Sequence, residues 1–144
     1  MATDRMVDDD YRRLLYLRTG LRYLRWSEEQ ARLVGLTPAQ HQPLLAIRGD
    51  GGESGPIIGD VADALLLRHH SAVELVQRTE SAGLLTRAED PDDGRVVRLA
   101  LSRRGRTALE RLSSLHMEEI ERLADRFRPI WEGLDDSDTM AGHT

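Results

Sequence analysis

Apolar residues recur at three- and four-residue spacing between Asp9 and about Val34. Leu14, Leu17, Leu21 and Leu24 make one stripe that Tyr11 and Ala31 extend, which predicts an amphipathic helix. The early aspartates suit a helix N-terminus, whose partial positive charge they complement. Gly20 weakens the run by about 1 kcal/mol relative to alanine. Leu15, Tyr16, Tyr23 and Trp26 carry the apolar surface beyond one stripe. A helix that is apolar on more than one side needs a second partner, and another copy of the chain is the natural one.

Gly35 stops this helix, and Thr37-Pro38-Ala39-Gln40 starts the next, with Thr37 as N-cap, proline at the first turn and Gln40 closing a capping box. Pro43 falls inside the pattern, where it removes a hydrogen bond at a cost of about 3 kcal/mol, so a kink or a helix beginning only near Pro43 is expected. Arg48 to Gly55 reads as a loop. Pro56 opens a third helix with Ile58, Val61, Ala62 and Leu65 inward. After a turn through Leu66-Leu67-Arg68, a fourth helix sets Ala72, Leu75, Val76 and Thr79 on one face. Its opposite face carries His70, Glu74, Gln77 and Ser81, flanked by Ser71, Val73 and Arg78. Gly83 ends it.

Leu84 to Ala88 and Val96 to Leu101 read as two strands, the second alternating Val97, Leu99 and Leu101 with Val96, Arg98 and Ala100. Between them Glu89-Asp90-Pro91-Asp92-Asp93-Gly94-Arg95 is turn chemistry. Ser102 caps a long helix reaching about Arg128, where Pro129 breaks it. The polar ends, up to Asp8 and from Asp135 on, read as frayed.

Composition changes this picture little. The 144 residues fit one domain with a core, aromatics are scarce, and every basic side chain is arginine. A net charge of −5 argues against a general polyanion binder. Its distribution is more telling, because Arg95, Arg98, Arg103, Arg104 and Arg106 form a strip with no acid among them. Absence of cysteine removes disulfides, thiol switches and cysteine zinc sites. No apolar run reaches membrane-span length and the N-terminus is too acidic for a signal peptide, so a cytoplasmic protein without membrane contact is expected.

Two short helices, a recognition-type helix and a charged hairpin make a winged helix-turn-helix. The chain here resembles the MarR family of bacterial transcriptional regulators, through Leu36-Thr37-Pro38-Ala39-Gln40, Ile58-Gly59-Asp60-Val61-Ala62 and Thr79-Glu80-Ser81-Ala82-Gly83-Leu84-Leu85. The most specific match is Asp90-Pro91-Asp92-Asp93-Gly94-Arg95 followed by Leu99-Ala100-Leu101-Ser102-Arg103-Arg104-Gly105. The resemblance spans roughly Tyr11 to Leu123. It implies a mainly α fold with a small β-hairpin, residues 1–144 forming a single domain. Long dimerisation helices at 9–34 and 103–134 would flank a winged helix-turn-helix DNA-binding lobe at 37–101. It further implies a homodimer that binds a palindromic double-stranded operator, more often as a repressor, with the fourth helix in the major groove and Arg95 in the minor groove. Thr79 departs from the usual leucine, Arg68 replaces a small polar residue near the recognition-helix start, and Pro43 is unusual in the second helix.

A major groove accepts one α-helix and lets its outer side chains reach base edges. The candidates are Arg68, His69, His70, Ser71, Val73, Glu74, Gln77 and Arg78. Gln77 suits adenine, Arg78 guanine or phosphate, Val73 a thymine methyl and Glu74 a cytosine amino group. On the wing, Arg95 suits a narrow minor groove, against the plainer reading of a solvated tip paired with Asp92 or Asp93. Arg87 and Arg98 suit phosphates. His69 and His70 point in different directions and lack a third partner, so neutral donors are preferred to metal ligands. No cofactor is expected. Family members commonly bind a small phenolic or anionic effector, for which Tyr16, Tyr23, Trp26 and His41 are candidates, although aromatics at helical spacing more often serve a core. No nucleophile–base pair is visible, so an enzyme is not expected. The competing reading is a winged-helix protein–protein adaptor that has lost DNA binding, which the acidic total charge favours.

Overall fold

The computed structural model describes residues 7–132; the polar tails 1–6 and 133–144 lie outside the described residues. Helix α1 (Asp8–Leu33) is followed by α2 (Pro38–Gly49), α3 (Ile58–Leu65) and α4 (His69–Ser81). The strands β1 (Leu85–Glu89) and β2 (Val97–Leu101) come next, then α5 (Arg103–Phe127) and a 3₁₀ turn at Arg128–Ile130. This is the mainly helical, winged helix-turn-helix fold expected. The chain divides into two compact units, one made of Ser27–Leu115 and the other of the described residues up to Trp26 and from His116 onward.

In the 27–115 unit, Leu44 of α2, Val61 of α3, Val76 of α4, Leu99 of β2 and Leu112 of α5 are withdrawn from water. Each full burial of such a side chain contributes about 1.5–3 kcal/mol. Local chemistry delivers these residues. Thr37 Oγ1 accepts from Gln40 N at 3.1 Å and Gln40 Oε1 accepts from Thr37 N at 2.9 Å, the reciprocal box that fixes the start of α2. The late start expected at Pro43 does not occur. From Pro38 the helix runs unbroken through it to Gly49, and Pro43 is itself fully buried. Burial of the ring among core side chains offsets the donor that Ala39 loses.

Pro56 does not open α3 either. The helix begins two residues later, and the carbonyl of Pro56 instead accepts from Leu99 N at 2.8 Å, tying the loop before α3 to the wing. The helix start is served by Asp60, whose Oδ2 accepts from Ile57 N at 2.9 Å. Leu66 ends α3 in the left-handed region (φ 55°) with 92% of its surface exposed. In the wing, Leu85 faces Leu101 and Glu89 faces Val97 in antiparallel register; each strand starts one residue later than the sequence pattern predicts, and β1 runs one residue further.

In the other unit, Tyr23 and Trp26 pack on His116, with ring centroids 5.9 and 5.0 Å away in edge-on geometry. Burial, then the charge of Glu119, pushes the Tyr23 phenol above its ordinary value. Leu14, Leu15, Leu17, Leu21 and Leu24 remain 48–63% exposed. The stripe most prominent in the sequence is therefore uncovered within the single chain.

Candidate nucleic-acid interface

Helix α4 is held by Ala72, Val76 and Thr79, all fully buried. Thr79 fits because its hydroxyl donates back to Leu75 O at 2.8 Å, leaving only its methyl to pack. The opposite face is open. Arg68, His69, His70, Glu74, Gln77 and Arg78 are exposed, while Ser71 and Val73 are partly covered. No side chain caps the helix at Arg68, so its first amides remain available to an anion. Glu74 and Arg78 lie 3.6 Å apart on this face, an exposed pair worth at most about 1 kcal/mol.

The three wing arginines differ in their engagement. Arg95 at the tip is 91% exposed, and its Nε and Nη2 donate to Asp93 at 3.1 and 3.3 Å. Arg87 Nε lies 3.1 Å from Glu80 near the end of α4, an ion pair between β1 and that helix that lacks hydrogen-bond geometry. Arg98 donates through Nε to Asp90 Oδ2 at 2.9 Å and through Nη1 to Gly55 O at 3.1 Å. Two of the three arginines are thus braces within the fold, and only the tip arginine presents nearly its whole side chain to solvent.

Two of the tip acids, Asp90 and Asp93, turn inward. Asp90 Oδ1 accepts from the amides of Asp92 (2.8 Å) and Asp93 (3.2 Å), and Asp93 Oδ1 accepts from Arg95 N at 3.0 Å. Hydrogen bonding to Arg98 first, and then to the Asp92 amide, holds the Asp90 carboxyl below the usual carboxylate range. The Arg95 side chain, then its amide, does the same for Asp93. These two carboxylates shape the loop that carries Arg95.

Behind the wing, Ser102 Oγ donates to Gly83 O at 2.6 Å and accepts from Gly105 N at 3.0 Å, and Arg104 Nη1 donates to Ala82 O at 2.9 Å. The arginine strip read in the sequence is therefore partly structural. Sequence reasoning missed this closure of the α4 end, and the Ser-Arg-Arg-Gly run right after an alternating strand was its only signal.

The aromatic candidates Tyr16, Tyr23 and Trp26 line one groove of about 650 Å³ with Phe127, Glu119 and Arg22. Phe127 and Glu119 were not anticipated as lining residues. His41 belongs to the other unit, where it is buried on α2. Among the described residues no three His, Asp or Glu side chains gather as metal ligands, and no helix is long and apolar enough to cross a membrane.

Residues 34–96 match the family model for the MarR family. Among solved structures, the chain is similar to the Staphylococcus aureus MepR–DNA complex at 17% identity, covering 94% of this chain and 90% of that one with a TM-score of 0.65. It is similar to the transcriptional regulator Tm0710 from Thermotoga maritima at 27% identity, with coverages of 85% and 80% and a TM-score of 0.57. CouR from Rhodococcus jostii RHA1, bound to p-coumaroyl-CoA, matches at 23% identity, with coverages of 87% and 81% and a TM-score of 0.64. A comparison with curated protein sequences gives no match.

Proposed function

We propose that the chain is a MarR-family, sequence-specific regulator of transcription, a reading supported by the match of its 34–96 segment and by its winged-helix fold. It binds a palindromic operator as a homodimer and acts as a repressor. The family is one of regulators, not enzymes. The observation that carries the reading is the wing, where an almost fully exposed Arg95 is presented on a loop shaped by the carboxylates of Asp90 and Asp93. Insertion of such an arginine into a narrow minor groove is favoured by the groove's negative potential. The exposed α4 face supplies the major-groove reader, with Gln77 and Arg78 suited to adenine and guanine and Glu74 to cytosine. The basic residues Arg68, His69 and His70 around the uncapped helix start meet backbone phosphates.

The uncovered leucines of α1 support dimerisation, since an exposed apolar patch of this kind commonly marks a protein–protein contact. The groove lined by Tyr16, Tyr23, Trp26 and Phe127 takes a small aromatic effector, with Arg22 and Arg126 beside Glu119 and Asp125 as its charged lining. MepR was solved on DNA and CouR with an aromatic thioester, which supports both halves of the reading by analogy.

The deciding experiment is a mobility-shift and footprint series on the DNA flanking the protein's own gene. A protected palindrome with half-sites about one helical turn apart is expected. A folded dimer that shifts no fragment would favour a protein–protein adaptor instead. A thermal-shift screen of phenolic acids tests the effector, and a hit must also release DNA.

A further inference from the structure

We propose that Arg98 is a positioning residue that acts on DNA through Arg95, without touching DNA itself. The proposal rests on the reading of Arg95 as the minor-groove reader. Its basis is an unbroken set of hydrogen bonds running from the body of the 27–115 unit to the wing tip. At the body end, Gly55 O accepts from Arg98 Nη1 at 3.1 Å, beside the Pro56–Leu99 backbone bond of 2.8 Å. There is no slack at this anchor, since Gly55 sits at φ +82° and a Cβ on it would stand 2.8 Å from Leu99 O. Arg98 Nε then holds Asp90 Oδ2 at 2.9 Å. The other oxygen of Asp90 takes the Asp92 and Asp93 amides, and Asp93 takes both the amide and the guanidinium of Arg95.

Burial separates the two ends of this relay. The side chains of Asp90 and Arg98 are 10% and 32% exposed, whereas Arg95 is 91% exposed. A guanidinium committed to a shielded carboxylate and a backbone carbonyl has little left for a phosphate. Its bidentate fork is suited to fixing one geometry. Without Arg98, Asp90 keeps its bonds to the tip amides but loses its tie to Gly55, so the tip turn remains formed while its direction relative to α4 is released. The expected defect is therefore in aiming Arg95 and not in wing folding.

The test is a double-mutant cycle on the footprinted operator, read by anisotropy across a salt series, with wild type, Arg98→Met, Arg95→Ala and the double variant. Arg98→Met is expected to weaken binding about tenfold, and in the Arg95→Ala background by less than about twofold. In the Arg95→Ala background, adding Arg98→Met should leave the slope of log affinity against log salt unchanged, because a phosphate contact of Arg98's own would reduce it by about 0.9. Asp90→Asn, which cannot lose a phosphate contact, should reproduce both the loss and the non-additivity, and it carries the test if Arg98→Met does not fold. A further reduced slope on adding Arg98→Met to Arg95→Ala, additive losses in the cycle, or unchanged affinity in both Arg98→Met and Asp90→Asn would each overturn the proposal. If wild type binds no DNA, or Arg95→Ala binds as wild type does, the reading it rests on fails first and the proposal falls with it.

Discussion

Gly105 lies against the carbonyl of Leu84, so close that a Cβ on Gly105 would stand 2.0 Å from that oxygen. This contact seats the first turn of α5 on the segment joining α4 to β1, where Leu84 O also accepts from Ser102 N at 3.1 Å. Helix propensity alone would make Gly105→Ala a gain of about 1 kcal/mol. Overpacking against backbone, which has no rotamer to yield, costs about 3 kcal/mol at the upper end of its usual range and wins. Urea denaturation of Gly105→Ala should show a lowered midpoint with an unchanged slope.

Arg95→Ala should weaken operator binding by about 1–3 kcal/mol while leaving the thermal midpoint close to wild type. The side chain is 91% exposed and its ion pair with Asp93 is solvated, so folding loses almost nothing. Titrations at one fixed salt concentration compare the two proteins, and equal affinity would remove Arg95 from the site.

Replacing both Leu17 and Leu21 by glutamate should convert a dimer to a monomer. Both side chains are already about 60% exposed in the single chain, which leaves the fold of one copy little to lose. Light scattering after size exclusion reads the mass, and far-ultraviolet dichroism checks that helicity survives. A variant that remains dimeric would place the interface elsewhere.

Acid should loosen the wing before it unfolds the protein. Asp90 and Asp93 both titrate below the ordinary carboxylate value in the fold. The unfolded chain binds protons to them first, so their contribution is complete above about pH 4, the unfolded range, and is lost as pH falls through the lower folded values. Amide exchange at Asp92, Asp93 and Arg95 should accelerate in that acid window, and Asp90→Asn should show the faster exchange already at neutral pH.

Thr79→Val should change stability by less than about 1 kcal/mol, because the hydroxyl it removes bonds only a helical carbonyl that already has a backbone donor. Thr79→Leu, the residue more usual in the family, should destabilise by about 1–3 kcal/mol, since the site is closed around a threonine. A more stable Thr79→Leu protein would mean that the packing under α4 is thin after all.

The elements and the wing were legible because their signals are local. A capping box, a glycine stop, an alternating strand and an Asp-Pro-Asp-Asp-Gly turn act within a few residues, and Thr37, Gly83 and Asp90 do in the structure what their spacing predicts. Pro43 misled for the same reason. Its local penalty is real, but the decision rested with burial against side chains from other elements, which spacing does not report.

Position along a strand likewise says that Arg87 and Arg98 are cations on a wing, not whether an acid stands beside them. Glu80 lies seven residues before Arg87 and Gly55 lies forty-three before Arg98, and only the folded chain brings them within reach. The leucine stripe of α1 shows the division most plainly. Periodicity determined that a helix forms there and that it is too apolar to stand alone. Tertiary structure decided that the chain covers Tyr23 and Trp26 and leaves the leucines open, because a hydrophobic face is satisfied by whatever surface meets it, and that surface is not written in the helix's own sequence.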